Sequence, residues 1–159
     1  MRPPMSVRNI IQATFDEFGK ASGGSKKSSS WYFRRPETVF VLNLQKSQYA
    51  PRYYVNVALW LLAAGPTDAP KPTHCHVQTR LEGLVPPATH ERLTALLDLD
   101  TPVEDQVRRD DLLSLLREQL LPIMEAASTI ETLYSGEGQR FVKASLVNAD
   151  GQRLLATHP

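Results

Sequence analysis

Val39-Phe40-Val41-Leu42-Asn43-Leu44-Gln45 and, after a short break, Tyr53-Tyr54-Val55-Asn56-Val57-Ala58-Leu59-Trp60-Leu61-Leu62 are the stretches whose reading decides the fold. Both are rich in β-branched and large apolar residues, which suit a pleated, half-buried surface. Successive side chains of a strand point to opposite faces. Phe40, Leu42, Leu44 and Lys46 therefore share one face, and Val39, Val41, Asn43 and Gln45 share the other. In the second stretch Tyr53, Val55, Val57 and Leu59 oppose Tyr54, Asn56, Ala58 and Trp60. Each stretch thus reads as a strand with an apolar face and a mixed face. The break over residues 48–52 is short enough for a hairpin, so antiparallel pairing is expected.

Working outward, Trp31-Tyr32-Phe33-Arg34 is a short aromatic strand upstream, and Cys75-His76-Val77-Gln78-Thr79-Arg80-Leu81 a further strand downstream. The intervening residues 65–73 carry Pro66, Pro70 and Pro72 and read as an irregular Pro-rich surface loop. Before the strands, Val7, Ile10, Ile11, Phe15 and Phe18 make one buried helical stripe over residues 7–20, with Ser6 as N-cap. Residues 1–5 read as a flexible arm and residues 22–30 as a flexible loop. After the strands, residues 89–97 read as a short helix. Thr101-Pro102-Val103-Glu104 then gives a cap, a Pro at the first helical position and a capping-box Glu. Pro122 is expected to kink the leucine-rich helix that follows. Ser128-Thr129-Ile130-Glu131 is expected to start another helix that Gly136 and Gly138 end. The tail over residues 139–159 reads as helix, or as half of a hairpin turning at Asn148-Ala149-Asp150-Gly151, with helix favoured. The fold expected is a single α+β domain over residues 1–159. A leading helix, an antiparallel meander of three or four strands and C-terminal helices make it up, with the helices on one sheet face.

The full chain has 159 residues, 18 Lys+Arg against 17 Asp+Glu and one Cys. One domain fits that length. A lone Cys excludes a disulfide framework and any multi-thiolate zinc site. No run approaches the roughly 18 apolar residues of a membrane span, and the amphipathic start does not read as a secretory signal. A cytoplasmic protein without membrane attachment is expected. The formal net charge of +1 argues against a general polyanion coat.

The mixed strand faces gather the candidate binding residues. Asn43, Gln45, Asn56, His76, Gln78 and Arg80 fall on them and form a candidate polar sheet face, where directional hydrogen bonds could fix a partner. Antiparallel sheets also commonly wet one face without further use. His74 and His76 share a strand side, but two histidines do not close a tetrahedral shell, so no metal site and no cofactor are expected. Cys75 points away from its histidine neighbours, and no Gly-x-Ser-x-Gly elbow or phosphate-binding loop is present. No catalytic residues are assigned.

Charge is segregated along the chain. Between Phe18 and Trp60, seven Lys+Arg face one acid, a net of +6. Between Glu82 and Glu131, eleven Asp+Glu face four Arg, a net of −7. Trp31, Arg34, Arg35, Lys46, Arg52 and Tyr54 form a candidate basic aromatic patch, suited to stacking on bases or gripping an acidic partner. The two blocks could equally fold back and neutralise one another.

Val41-Leu42-Asn43-Leu44-Gln45-Lys46-Ser47, Tyr53-Tyr54-Val55-Asn56-Val57 and Cys75-His76-Val77-Gln78-Thr79-Arg80-Leu81 together resemble the bacterial domain of unknown function 4304 family. The resemblance runs from Val7 to Val85, and the helical half matches in character, including the Leu121-Pro122 step. It implies a small bacterial α+β protein without an established activity. The function expected is that of a non-enzymatic protein-binding module with a protein partner, its specific form being an immunity protein that neutralises a bacterial toxin. Single-stranded nucleic-acid binding by the basic aromatic half is the first alternative. A small-ligand binder or enzyme using the polar sheet face is the second.

Overall fold

The computed structural model describes residues 8–157, so the expected arm at residues 1–5 and the Ser6 cap lie outside the described residues. Helix α1 spans Ile10–Ala21. Asn9 is its N-cap: the Asn9 side chain accepts from the Gln12 N–H at 2.9 Å, and the Gln12 side chain accepts from the Asn9 N–H at 3.1 Å. This reciprocal pair satisfies donors that the first turn leaves free. Ile11, Phe15 and Phe18 form the buried stripe, as the spacing requires. Gly19 completes it, because a Cβ there would sit 2.3 Å from the Trp31 ring.

The sheet has six strands, in the spatial order of the sequence: β1 Ser25–Lys27, β2 Ser30–Arg34, β3 Thr38–Lys46, β4 Tyr53–Leu61, β5 Val77–Arg80 and β6 Leu146–Val147. Every neighbouring pair is antiparallel. The meander is correct and the expected number of three or four strands is not. Both extra strands are short edges. β1 lies in what reads as a flexible loop: Ser25, Lys26 and Lys27 have no apolar residue to signal a strand, yet they pair with β2 across a tight turn in which Ser28 takes φ +57°. β6 consists of two residues in the tail, against β5. Short, charged or truncated edges are a common way to discourage sheet-to-sheet association. β5 begins at Val77, two residues later than the sequence reading.

Phe40, Leu42, Leu44, Val55, Val57 and Leu59 face the helices and form the main core with Phe15, Leu112, Leu116, Ile123 and Phe141. The mixed face is divided along its length. At one end Tyr32, Val39, Val41, Ala58 and Cys75 form a second apolar cluster, with Trp60, Leu62 and Ala69 packed against it. Leu62 and Ala69 come from the Pro-rich β4–β5 connection, which covers that end. The other end stays open.

Helix α2 (His90–Leu96) leads through an irregular link into α3 (Asp105–Leu115). Helix α3 starts four residues after Thr101, and no side chain caps it. The Thr101 carbonyl instead serves Arg108. A π-turn over Leu116–Leu120 joins α3 to α4 (Leu121–Ala126). The wider turn lies directly before Pro122, the residue whose ring and missing N–H disfavour a regular α-helical ladder. The expected disruption is therefore taken up as one widened turn. The second expected helix is different: Glu131–Tyr134 is a 3-10 turn, and α5 (Gly136–Lys143) begins where the glycines were expected to end a helix. Gly138 is needed there for close approach, since a Cβ would lie 2.0 Å from the Thr132 carbonyl oxygen. Asn148 caps α6 (Ala149–Ala156) by accepting from the Gly151 N–H at 2.8 Å, so the segment read alternatively as a hairpin turn is a helix start. Among the described residues no helix is long and apolar enough to cross a membrane.

Arg108 holds the helical layer together. It is 2% exposed. Its Nη1 donates to the carbonyls of Ala95, Leu96 and Asp98 at 3.0, 2.6 and 3.0 Å, and its Nη2 to that of Thr101 at 2.8 Å. The guanidinium thus sits on the last carbonyls of α2 and on those of the link that follows, where the helix dipole favours a cation. The same link is tied to the sheet by Tyr53 N–H to Leu97 O and by Leu99 N–H to Pro51 O, both 2.9 Å. Replacing Arg108 with Met removes the donor to the Leu96 and Thr101 carbonyls and weakens the pairing of those of Ala95 and Asp98. Arg108→Met is expected to lower the unfolding free energy by about 3 kcal/mol, read as a lower urea midpoint at unchanged slope. A loss under about 0.5 kcal/mol, the size of an ordinary surface substitution, would remove Arg108 from this role.

Candidate functional site: the open end of the sheet face

The β2–β5 register sets the polar residues side by side. Ser30 lies opposite Asn43, Asn43 opposite Asn56, Asn56 opposite Arg80, and Gln45 opposite Tyr54. The Asn56 amide donates to Asn43 Oδ1 and to Gln45 Oε1, each at 2.9 Å. The Asn43 amide in turn donates to Ser30 Oγ at 2.9 Å. The Arg80 guanidinium lies over the Tyr54 ring, 4.5 Å from its centroid. The Gln78 amide donates to the Cys75 and Thr73 carbonyls at 3.0 and 3.1 Å. Five of the six residues expected on this face therefore gather.

Asn43, Gln45, Asn56 and Gln78 border an open groove of about 580 Å³ that Pro72 and Thr73 wall on one side. A second depression of about 450 Å³ shares Asn56, Gln78 and Thr79 with the first and extends to Arg80, Lys143 and Leu146. Leu146, on edge strand β6, is 83% exposed beside it. Leu146 and Lys143 escape a sequence reading because nothing in the tail marks a strand that would bring them to the sheet.

His76 departs from the group. It is 3% exposed, its Nδ1 accepts from the Leu61 N–H at 3.0 Å, and its ring lies 4.4 Å from that of Trp60. It belongs to the covered end. Burial holds its pKa below the ordinary histidine value, against the pull of Asp150. Cys75 is buried in the second apolar cluster, and burial pushes its thiol up to about 12. A thiol held so high supplies almost no nucleophilic thiolate at neutral pH. His74 is exposed. Among the described residues no group of three or more His, Cys, Asp or Glu comes together as a metal site.

The basic aromatic residues do not form one patch. Trp31 is 2% exposed and packs on Phe15 in the main core. Arg34 pairs with Asp68 of the Pro-rich connection at 2.6 Å, at the covered end. Arg35 is half-buried. Lys46 lines the groove next to Gln45, Tyr54 lies under Arg80, and Arg52 is exposed at the start of β4. The charged blocks do not cancel by direct pairing either. Lys26 and Arg8 pair with Asp16, and Arg109 with Glu17 on α1; among the described residues no ion pair joins an acid of residues 82–131 to a base of residues 18–60.

The family model described as Domain of unknown function (DUF4304) matches residues 16–126. The chain belongs to the DUF4304 family. The match runs from within α1 through β1–β5 to the end of α4, so the DUF4304 region includes the helical layer as well as the strands that carry the resemblance. Residues 127–157, with β6 and its Leu146, lie beyond it. The chain matches none of the curated proteins and none of the solved structures.

His76 makes stability depend on pH in a defined direction. Its neutral form accepts the Leu61 N–H, and its folded pKa lies below the unfolded value of 6.5. As pH falls below that value the unfolded chain takes up the proton first, so stability is full above it and declines below it. The urea midpoint is expected to fall between about pH 7.5 and about pH 5.5. His76→Asn, whose Oδ1 can accept the same N–H without titrating, is expected to flatten the fall. An equal slope in both proteins would clear His76 of the effect.

Proposed function

We propose that this chain is a non-enzymatic binding protein that holds a protein partner against the open end of its sheet. The observation that carries the reading is the gathering of Asn43, Gln45, Asn56, Gln78 and Arg80 around two adjoining open depressions that share Asn56 and Gln78, with the exposed Leu146 lining the second. Oriented amide and guanidinium groups around an apolar anchor suit a recognition surface: the anchor supplies burial and the polar groups fix register. The Asn43, Asn56 and Gln78 amides are already bonded to neighbours, which pre-orients these side chains and lowers the entropy lost on binding. The uncancelled charge blocks favour a charged partner, since complementary potentials speed encounter. In a bacterial cytoplasm the partner of such a small protein would be a toxin that the chain neutralises. The burial of Trp31 and Tyr53 removes two platforms on which a single-strand binder would stack bases, so the protein reading is favoured over the nucleic-acid one.

A photoreactive residue at Leu146 is expected to cross-link a partner protein in cells, and Arg80→Glu to abolish the product. The same probe at Glu118, on the exposed outer side of the helical layer, serves as the control. Equal products from both positions, or a product insensitive to Arg80→Glu, would overturn the sheet face as the docking surface. A salt-dependent gel shift with single-stranded oligonucleotides that Tyr54→Ala removes would replace the protein reading by the nucleic-acid one.

A further inference from the structure

β4, β5 and α2 meet around a second cavity, of about 70 Å³. Val55, Leu81, Leu93 and Leu97 line it, and all four are buried. One water needs roughly 10–15 Å³ of such space and two to four polar partners. The cavity has room for about five waters, but its inner wall is apolar. Space of this kind stays dry and accepts a compact apolar group.

The mouth has the opposite character. Arg52, Arg80 and Glu82 are the charged residues that line the cavity, and all three are exposed. Among the described residues the Arg52 and Glu82 side chains make no hydrogen bond or ion pair, and Arg80 makes only its stack on Tyr54. That contact with the ring face uses none of the guanidinium N–H groups as hydrogen-bond donors. Two arginines and one glutamate give the mouth a net charge of +1, which matches a monoanion and disfavours a dianion. A carboxylate takes paired N–H groups from a guanidinium, and such charge-assisted bonds are stronger than neutral ones.

We propose that this cavity is a binding site for a compact apolar monocarboxylate, such as an aryl carboxylate. Its hydrocarbon part sits among Val55, Leu81, Leu93 and Leu97, and its carboxylate lies between Arg52 and Arg80. The site is separate from the protein-docking groove, although Arg80 borders both; Arg52 belongs to the cavity alone.

Benzoate titrated into the isotope-labelled full chain tests this. Saturable amide shifts at Thr94 and Leu97, which line the cavity, are expected. Arg52→Gln and Arg80→Gln, both at exposed positions, are each expected to weaken benzoate about tenfold, the effect of losing one charge-assisted hydrogen bond. Benzyl alcohol, with the same ring and no charge, is expected to bind more weakly and to ignore both substitutions. No saturable shift, shifts unchanged in both arginine variants, or benzyl alcohol binding as tightly as benzoate would each overturn the proposal. Arg52→Gln that loses benzoate while the Leu146 cross-link persists separates this site from the docking groove; loss of the cross-link alone leaves the cavity site standing.

Discussion

Nine residues of β3 pair with nine of β4, from Thr38 opposite Leu61 to Lys46 opposite Tyr53, and the side-chain period of two makes this register binding on everything else. In the observed register Phe40, Leu42 and Leu44 share a face with Val55, Val57 and Leu59. A slip of one residue along either strand would turn its apolar set to solvent and drive Asn43 or Asn56 into the core, where an unpaired amide costs several times a normal hydrogen bond's net worth. The register is also read on the outer face, where Asn56 meets Asn43 and Gln45 only in this alignment. The pattern that builds the core therefore also builds the polar ladder.

The helical layer depends on the sheet through one link. The residues between α2 and α3 bond to the start of β4, and Arg108 gathers four carbonyls around them. That link also shapes the small cavity, whose wall includes Leu93 and Leu97 from α2 and its end. The same link thus involves one buried arginine, while Arg52 and Arg80 at the cavity mouth stay exposed. The difference between them is the supply of acceptors: Arg108 meets four carbonyls at the end of α2 and in the link, whereas among the described residues the Arg52 and Arg80 side chains donate to none.

The sequence was legible where periodicity and volume speak. The leading helix, the central strands, α2 and the polar residues on alternate positions of β3, β4 and β5 follow from spacing alone. It was not legible where a neighbour decides. Ser25-Lys26-Lys27 is a strand because β2 offers it an edge, and Leu146-Val147 because β5 does; neither has a pattern of its own. Gly136 and Gly138 read as helix terminators, but Gly136 takes φ +55° at the start of α5 and Gly138 leaves the Thr132 carbonyl the space of a missing Cβ inside it. His76 sits on an alternate position like Gln78 and Arg80, and only the packing of Trp60 and of the start of α6 around it reveals that it is covered. Trp31 failed as a surface aromatic for a related reason: it lies opposite Leu42 on the core-facing side, where Gly19 makes room for it.

The division of the outer face into a covered and an open end has its own local cause. The β4–β5 connection is anchored at the covered end by apolar contacts of Leu62 and Ala69 and by the Arg34–Asp68 pair. Its return is pinned by Gln78, whose amide holds the Thr73 and Cys75 carbonyls. The loop therefore turns back at Pro72 and Thr73, which become the wall of the groove rather than its lid. Gln78 both limits the cover and borders the open surface. A side chain that bonds only to its own loop thus determines how much of the sheet a partner can reach.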